Sequence, residues 1–178
     1  MTVTKHAVKG FTDGLRMELE HDGAPISVTL IKPGPIDTPF PLNARNYLDA
    51  EPQHVPPVYA PETVARAVLH AAATPTRELY VGGGAKGIAA SGDFAPQATE
   101  QTLAAVAIPR TLSDKPPLPR ERHILYHPTE RLEERGDYPG VVQPVSLYTE
   151  AATHRKLLGV GLIGAGLAAA LWRSSRRG

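Results

Sequence analysis

Apolar side chains recur at three- and four-residue intervals over the first twenty positions. Val8, Phe11, Leu15 and Leu19 fall on one face of a helix predicted over residues 2–20. Gly10 and Gly14 lie four apart on it and would let a second helix approach closely. Each also costs about 1 kcal/mol of helix stability relative to alanine. His21-Asp-Gly23-Ala-Pro25 ends the helix. Residues 26–31 then form a short run rich in β-branched side chains, which predicts a buried strand. Residues 37–60 hold many prolines and no clear period, and a structureless connection that long is usually functional or disordered. Pro61 and Glu62 open a second helix, 61–73, with proline at its favoured first position and Val64, Ala67, Val68 and Ala71 on the inner face. A second strand, 79–81, is stopped by Gly82-Gly83-Gly84. Strand, crossover helix and strand predict a right-handed βαβ unit with parallel strands.

Farther along, the periodicity weakens. Residues 98–107 predict a short helix, and 109–144 are proline- and charge-rich, an extended or wrapping segment. Residues 157–172 run for sixteen positions without a charge. This divides the chain into an α/β part over 1–90, an extension over 91–150 and an apolar helical tail over 151–178.

Composition narrows the choice of partners. A length of 178 residues suits one ordinary domain. A net charge of +1 argues against a dedicated nucleic-acid binder. The charge is uneven: from Glu150 onward five basic residues (Arg155, Lys156, Arg173, Arg176, Arg177) stand against one acid. A basic tail of this kind suits an anionic membrane surface. With no cysteine, disulfides, thiolate zinc sites and cysteine nucleophiles are excluded, which fits a reducing compartment. Lys5, His6 and Lys9 come too early for a secretory signal, so a cytoplasmic location is expected.

The chemistry lies in one combination. Lys5 sits near the start of the first helix, and the first strand leads into Pro33-Gly34-Pro-Ile36-Asp-Thr38. Alone, the lysine reads as a solvated side chain. Together, these features resemble the second half of a short-chain dehydrogenase/reductase, where a Tyr-x-x-x-Lys helix precedes a strand and a Pro-Gly loop. The resemblance covers residues 1–40 well and reaches to about residue 84. It implies a partial Rossmann-like doubly wound parallel sheet, keeping the last two strands and their helices, with an apolar helix following. It implies NAD or NADP as cofactor and a small-molecule carbonyl or alcohol as substrate. It also implies that Lys5 meets the nicotinamide ribose and stabilises a tyrosinate, lowering a phenol pKa from its usual value near 10. Pro33 and Gly34 would let backbone approach the cofactor, Ile36 would offer backbone groups to the carboxamide, and the Thr38 hydroxyl would add a hydrogen bond. Helix 2–20 would form a dimer contact.

The departures are equally specific. The position of the tyrosine, four before Lys5, is Met1, whose thioether cannot donate a proton. The family's catalytic serine and glycine-rich phosphate loop would precede it. The adenosine and pyrophosphate of a cofactor therefore have no expected site in these residues, and cofactor binding by this chain alone is not expected. The chain reads as the C-terminal portion of such an oxidoreductase, inactive as it stands; the alternative is a non-enzymatic, membrane-anchored or interaction remnant of the fold.

Two other motifs carry less. Gly159-Val-Gly161-Leu-Ile-Gly164 has dinucleotide-loop spacing but follows His154-Arg-Lys156 rather than a strand. His123 and His127 are four apart, yet a metal needs a third ligand and Pro128 favours a loop, so they read as solvated. As a helix, residues 157–172 would span about 24 Å, short of a bilayer core of about 30 Å. Basic flanks and Trp172 favour membrane attachment; a helix docked on protein is the rival.

Overall fold

The computed structural model describes residues 2–129 and 132–154. Met1 and the expected tail helix over 157–172 lie outside them. Among the described residues, no helix is long and apolar enough to cross a membrane.

The chain has a partial α/β, Rossmann-like architecture. Helix α1 (Thr2–His21) leads to strand β1 (Leu30–Pro33). After a short helix α2 (Phe40–Asn43) and strand β2 (Val58–Tyr59), helix α3 (Pro61–Ala73) crosses to strand β3 (Glu78–Val81). β1 and β3 are parallel, with Leu30 opposite Glu78 and Pro33 opposite Val81, as the βαβ reading requires. Helices α4 (Gly83–Phe94) and α5 (Pro96–Thr102) follow, then a π turn over Leu103–Ala107 and a 3₁₀ turn over Pro109–Thr111. Strand β4 (Val142–Gln143) and helix α6 (Leu147–Thr153) complete the described chain.

The bounds of α3 match the sequence reading because both ends are punctuated. Pro61 occupies the first turn, and Thr74-Pro75 cannot continue the helix. Thr63, Ala67 and Ala71 form its buried stripe, one residue every four. Ala67 packs with Leu79 and Val81, and Ile31, Ile36, Val64 and Ala152 border this cluster. Val68 does not belong to the inner face as expected; it is about half exposed. Thr63 lies on the buried face instead, its hydroxyl donating to the Pro144 carbonyl at 3.1 Å.

Several expectations need correction. The first strand runs over residues 30–33, not 26–31. A ladder is only as long as its partner, and β3 begins opposite Leu30. Upstream, side chains take the backbone groups: Arg16 donates to the Val28 carbonyl at 3.3 Å and Thr29 Oγ1 to the Thr76 carbonyl at 2.6 Å. The glycines at 82–84 do more than stop a strand. Gly82, at φ +100°, turns the chain directly into α4, its N–H donating to Thr149 Oγ1 at 3.0 Å. The irregular connection over 37–60 contains α2 and β2. The predicted helix 98–107 is split between α5 and the π turn. The described residues hold four strands rather than two, because the extension returns β4 alongside β2 in a second parallel pair.

Helix α1 is tied to the sheet near its C-terminal end. Arg16 donates to the Val28 and Arg77 carbonyls, and Asp13 accepts from Arg16 at 2.8 Å and Arg77 at 3.0 Å. Hydrogen bonds from Lys9 and Arg16 hold the Asp13 carboxyl below its usual range. Nearer the N-terminus, the helix is open: Val3, Val8 and Phe11 are exposed, and a side chain added at Gly10 or Gly14 would meet nothing within 4 Å.

Candidate functional site

The loop over 33–38 leaves the carboxyl end of β1, where ligands bind in open parallel sheets. It is fixed from two sides. Gly34 N–H donates to the Val81 carbonyl at 2.8 Å, extending the contact with β3 past its last pair. The buried Tyr59 then grips the next residues, donating its N–H to the Pro35 carbonyl at 3.0 Å and accepting from Asp37 N–H at 2.9 Å. These two bonds bracket Ile36 in a parallel bridge. In such a bridge the bracketed residue's own N–H and C=O point away from the partner. Ile36 therefore keeps its N–H outside the backbone bonds made among the described residues. The Thr38 hydroxyl likewise has no hydrogen bond among them.

Gly34 lies against β3 and the start of α4, at a distance where a methyl group would make ordinary contact. A Cβ there would stand 3.4 Å from the Val81 carbonyl oxygen and 3.5 Å from Ala85 Cβ. Tyr59 in turn fits because Gly82 has no side chain; a Cβ at that position would reach within 2.8 Å of the tyrosine ring.

The structure thus brings Pro33, Gly34, Ile36 and Thr38 together. Lys5 lies on the exposed N-terminal half of α1, and its ammonium has no partner among the described residues.

The extension walls the same loop. Gly136 sits so close that an added Cβ would stand 2.7 Å from Asp37 Oδ1 and 2.8 Å from the Thr38 carbonyl oxygen. Gln53 holds another part in place, its N–H donating to the Thr111 carbonyl and its side chain to the Leu112 carbonyl at 2.9 Å. The Arg135 guanidinium pairs with Glu62 at the start of α3. Glu62's carboxyl is held below its usual range by its own backbone N–H, with Arg135 adding to the effect.

Sequence reasoning missed Tyr59, Asp37, His54 and Gly136. Asp37 is buried, and its Oδ1 has no hydrogen-bond partner; the Nε2 of half-buried His54 is also sealed and unpartnered. Burial pushes the His54 imidazole pKa down, against the pull of Asp37 and Asp137. The His54 and Tyr138 rings meet edge to face, with centroids 6.3 Å apart. The one available signal was the Val58-Tyr59 pair between prolines and α3, a short apolar run that reads as a strand. His123 and His127 line a separate cleft beside α2, and no group of three metal-binding side chains occurs among the described residues.

Comparison with known proteins decides the family. An uncharacterized oxidoreductase of Bacillus subtilis, YxnA, is 40% identical over 174 residues, covering 97% of this chain and 48% of that protein. The human dehydrogenase/reductase SDR family member 11 is 35% identical over 80 residues, covering 42% of this chain and 30% of its own. The chain belongs to the short-chain dehydrogenase/reductase family. Its elements correspond to the C-terminal portion of that family's fold. An Escherichia coli oxidoreductase, YbbO, is 41% identical over 73 residues, 38% of this chain and 26% of that protein. The chain spans about half the length of the relative it matches almost throughout. No family model and no solved structure matches it.

Proposed function

We propose that this chain supplies the nicotinamide-facing part of an NAD(P)-dependent oxidoreductase site, and that these 178 residues alone do not turn over a substrate. The observation that carries the reading is the loop over 33–38 at the carboxyl end of β1, with the Ile36 N–H and Thr38 hydroxyl uncommitted. A carboxamide both donates and accepts hydrogen bonds, so these two groups suit it. The residues at hand fit that end of the cofactor alone.

When bound, the nicotinamide would give or take a hydride. The chain's own residues would orient it. Ile36 backbone and Thr38 hydroxyl would hold the carboxamide, and the Lys5 ammonium would hold the ribose hydroxyls. The substrate would be a small carbonyl compound or the corresponding alcohol. Hydride transfer to a carbonyl also needs a proton for the developing alkoxide. The thioether at the tyrosine position, Met1, cannot supply one.

The exposed apolar face of α1, bare at Gly10 and Gly14, supports a dimer through that helix. A non-enzymatic role for the fold is favoured by one observation, Met1 at the tyrosine position.

The test is NADH and NADPH oxidation by the purified chain with a panel of aldehydes and ketones. No turnover above the protein-free rate is expected. Protein-dependent oxidation, abolished by Lys5→Ala, would overturn the claim that these residues lack a working proton donor.

A further inference from the structure

We propose that the seam between the end of α2 and the extension is a binding site for a small dicarboxylate. Backbone joins the two segments there: Ile124 N–H donates to the Asn43 carbonyl at 3.2 Å. Just beyond that bond, Arg45 from one segment and Arg120 from the other converge on Tyr47. Their guanidinium carbons stand 5.4 and 5.7 Å from its ring centroid, within cation–π reach. All three side chains are exposed, so a ligand can meet them without opening a core.

No acid closes this pair. Arg16, Arg66, Arg77 and Arg135 each meet a carboxylate. A second ring, Tyr80, also carries two cations, with Lys32 and Lys86 at 4.9 and 4.8 Å from its centroid, and there Glu78 takes Lys32 at 2.8 Å. Arg45 and Arg120 make no hydrogen bond or ion pair among the described residues, although Asp49 and Glu121 lie close to them in sequence. Two like charges held on one ring repel each other, and an anion relieves that repulsion. A guanidinium offers donors only, in a fork that fits a carboxylate through two parallel bonds. Two forks from separate segments match two carboxylates one to one. Linking those carboxylates in one molecule makes the second contact intramolecular, which favours a dicarboxylate over two separate acids. The site uses none of Lys5, Pro33, Gly34, Ile36 or Thr38 and stands apart from the cofactor reading.

The experiment follows the Nε–H signals of Arg45 and Arg120 by NMR in the full, nitrogen-labelled chain. Glutarate, propionate and inorganic phosphate are titrated separately at neutral pH and equal ionic strength, so that screening is the same in each series. The expected result is a saturable shift of both signals with glutarate, its midpoint in the millimolar range. Propionate and phosphate should bind about fivefold more weakly, the upper range for one exposed charge pair. Arg45→Gln and Arg120→Gln should each weaken glutarate binding about fivefold, to the level of propionate. Both side chains are exposed, and an unchanged melting temperature would show that each variant keeps its fold. Propionate or phosphate binding as tightly as glutarate, a shift that does not saturate, or glutarate affinity unchanged in either variant would show a solvated cation–π cluster alone, and would overturn the proposal.

Discussion

Two residues report how tightly the site is built. Gly136 has Asp37 Oδ1 and the Thr38 backbone where a side chain would go. Backbone cannot swing aside as a flexible side chain does, so Gly136→Ala must displace the loop or the extension. A destabilisation of about 1–3 kcal/mol is expected, as for overpacking elsewhere, and urea denaturation would measure it. Unchanged stability would show that the extension does not seat on this loop. His54 supplies a pH dependence. Its folded pKa lies below the ordinary 6.5, chiefly through burial, with Asp37 and Asp137 opposing. A base with a depressed folded pKa binds protons more readily when unfolded. Its contribution is therefore complete above 6.5 and is lost as pH falls from there through the folded pKa. Between about pH 7.5 and 5.5 the melting temperature should fall more steeply in the native chain than in His54→Gln. Parallel slopes would contradict the burial of the neutral ring. Neither residue was legible in the sequence. A glycine in a charged segment and a histidine among prolines acquire meaning only when residues 136 and 54 meet the loop at 37.

At the scale of elements, legibility followed punctuation. α3 could be read to the residue because proline marks its start and Thr74-Pro75 its end. β1 could be read as a strand but not in register, since its first residue is set by β3, far away in sequence. α4 was hidden behind Gly82–Gly84, which look like a stop and act as a turn into a helix. α6 carries a signal in the sequence: Ser146 caps it, its Oγ accepting from Thr149 N–H at 3.3 Å, as serine often does one residue before a helix. Helix α1 carries its own test. Phe11 is 71% exposed and Gly10 and Gly14 open the same helix to a close neighbour. Phe11→Arg should convert a dimer to a monomer in analytical ultracentrifugation while leaving the helical content unchanged. A chain that is monomeric before the substitution, or dimeric after it, would remove α1 as the interface.

At the scale of the whole molecule, the sequence motif and the tertiary structure meet at one loop. The loop over 33–38 was visible as a motif, and the structure puts it at the carboxyl end of a parallel strand pair. What the motif could not show is that Tyr59 pins the loop so that the Ile36 N–H and C=O point away from it, or that the extension closes over Asp37. Lys5 is exposed on the N-terminal half of α1. The proposed nicotinamide contact rests on this loop. Its most direct test is an NMR titration of the amide-labelled chain with reduced nicotinamide mononucleotide, set beside NADH. Weak binding is predicted, in the millimolar range, with shifts centred on residues 34–38, loss of affinity in Thr38→Val, and NADH binding no more than about threefold tighter than the mononucleotide. Shifts centred away from residues 34–38, or NADH binding a hundredfold tighter than the mononucleotide, would contradict it.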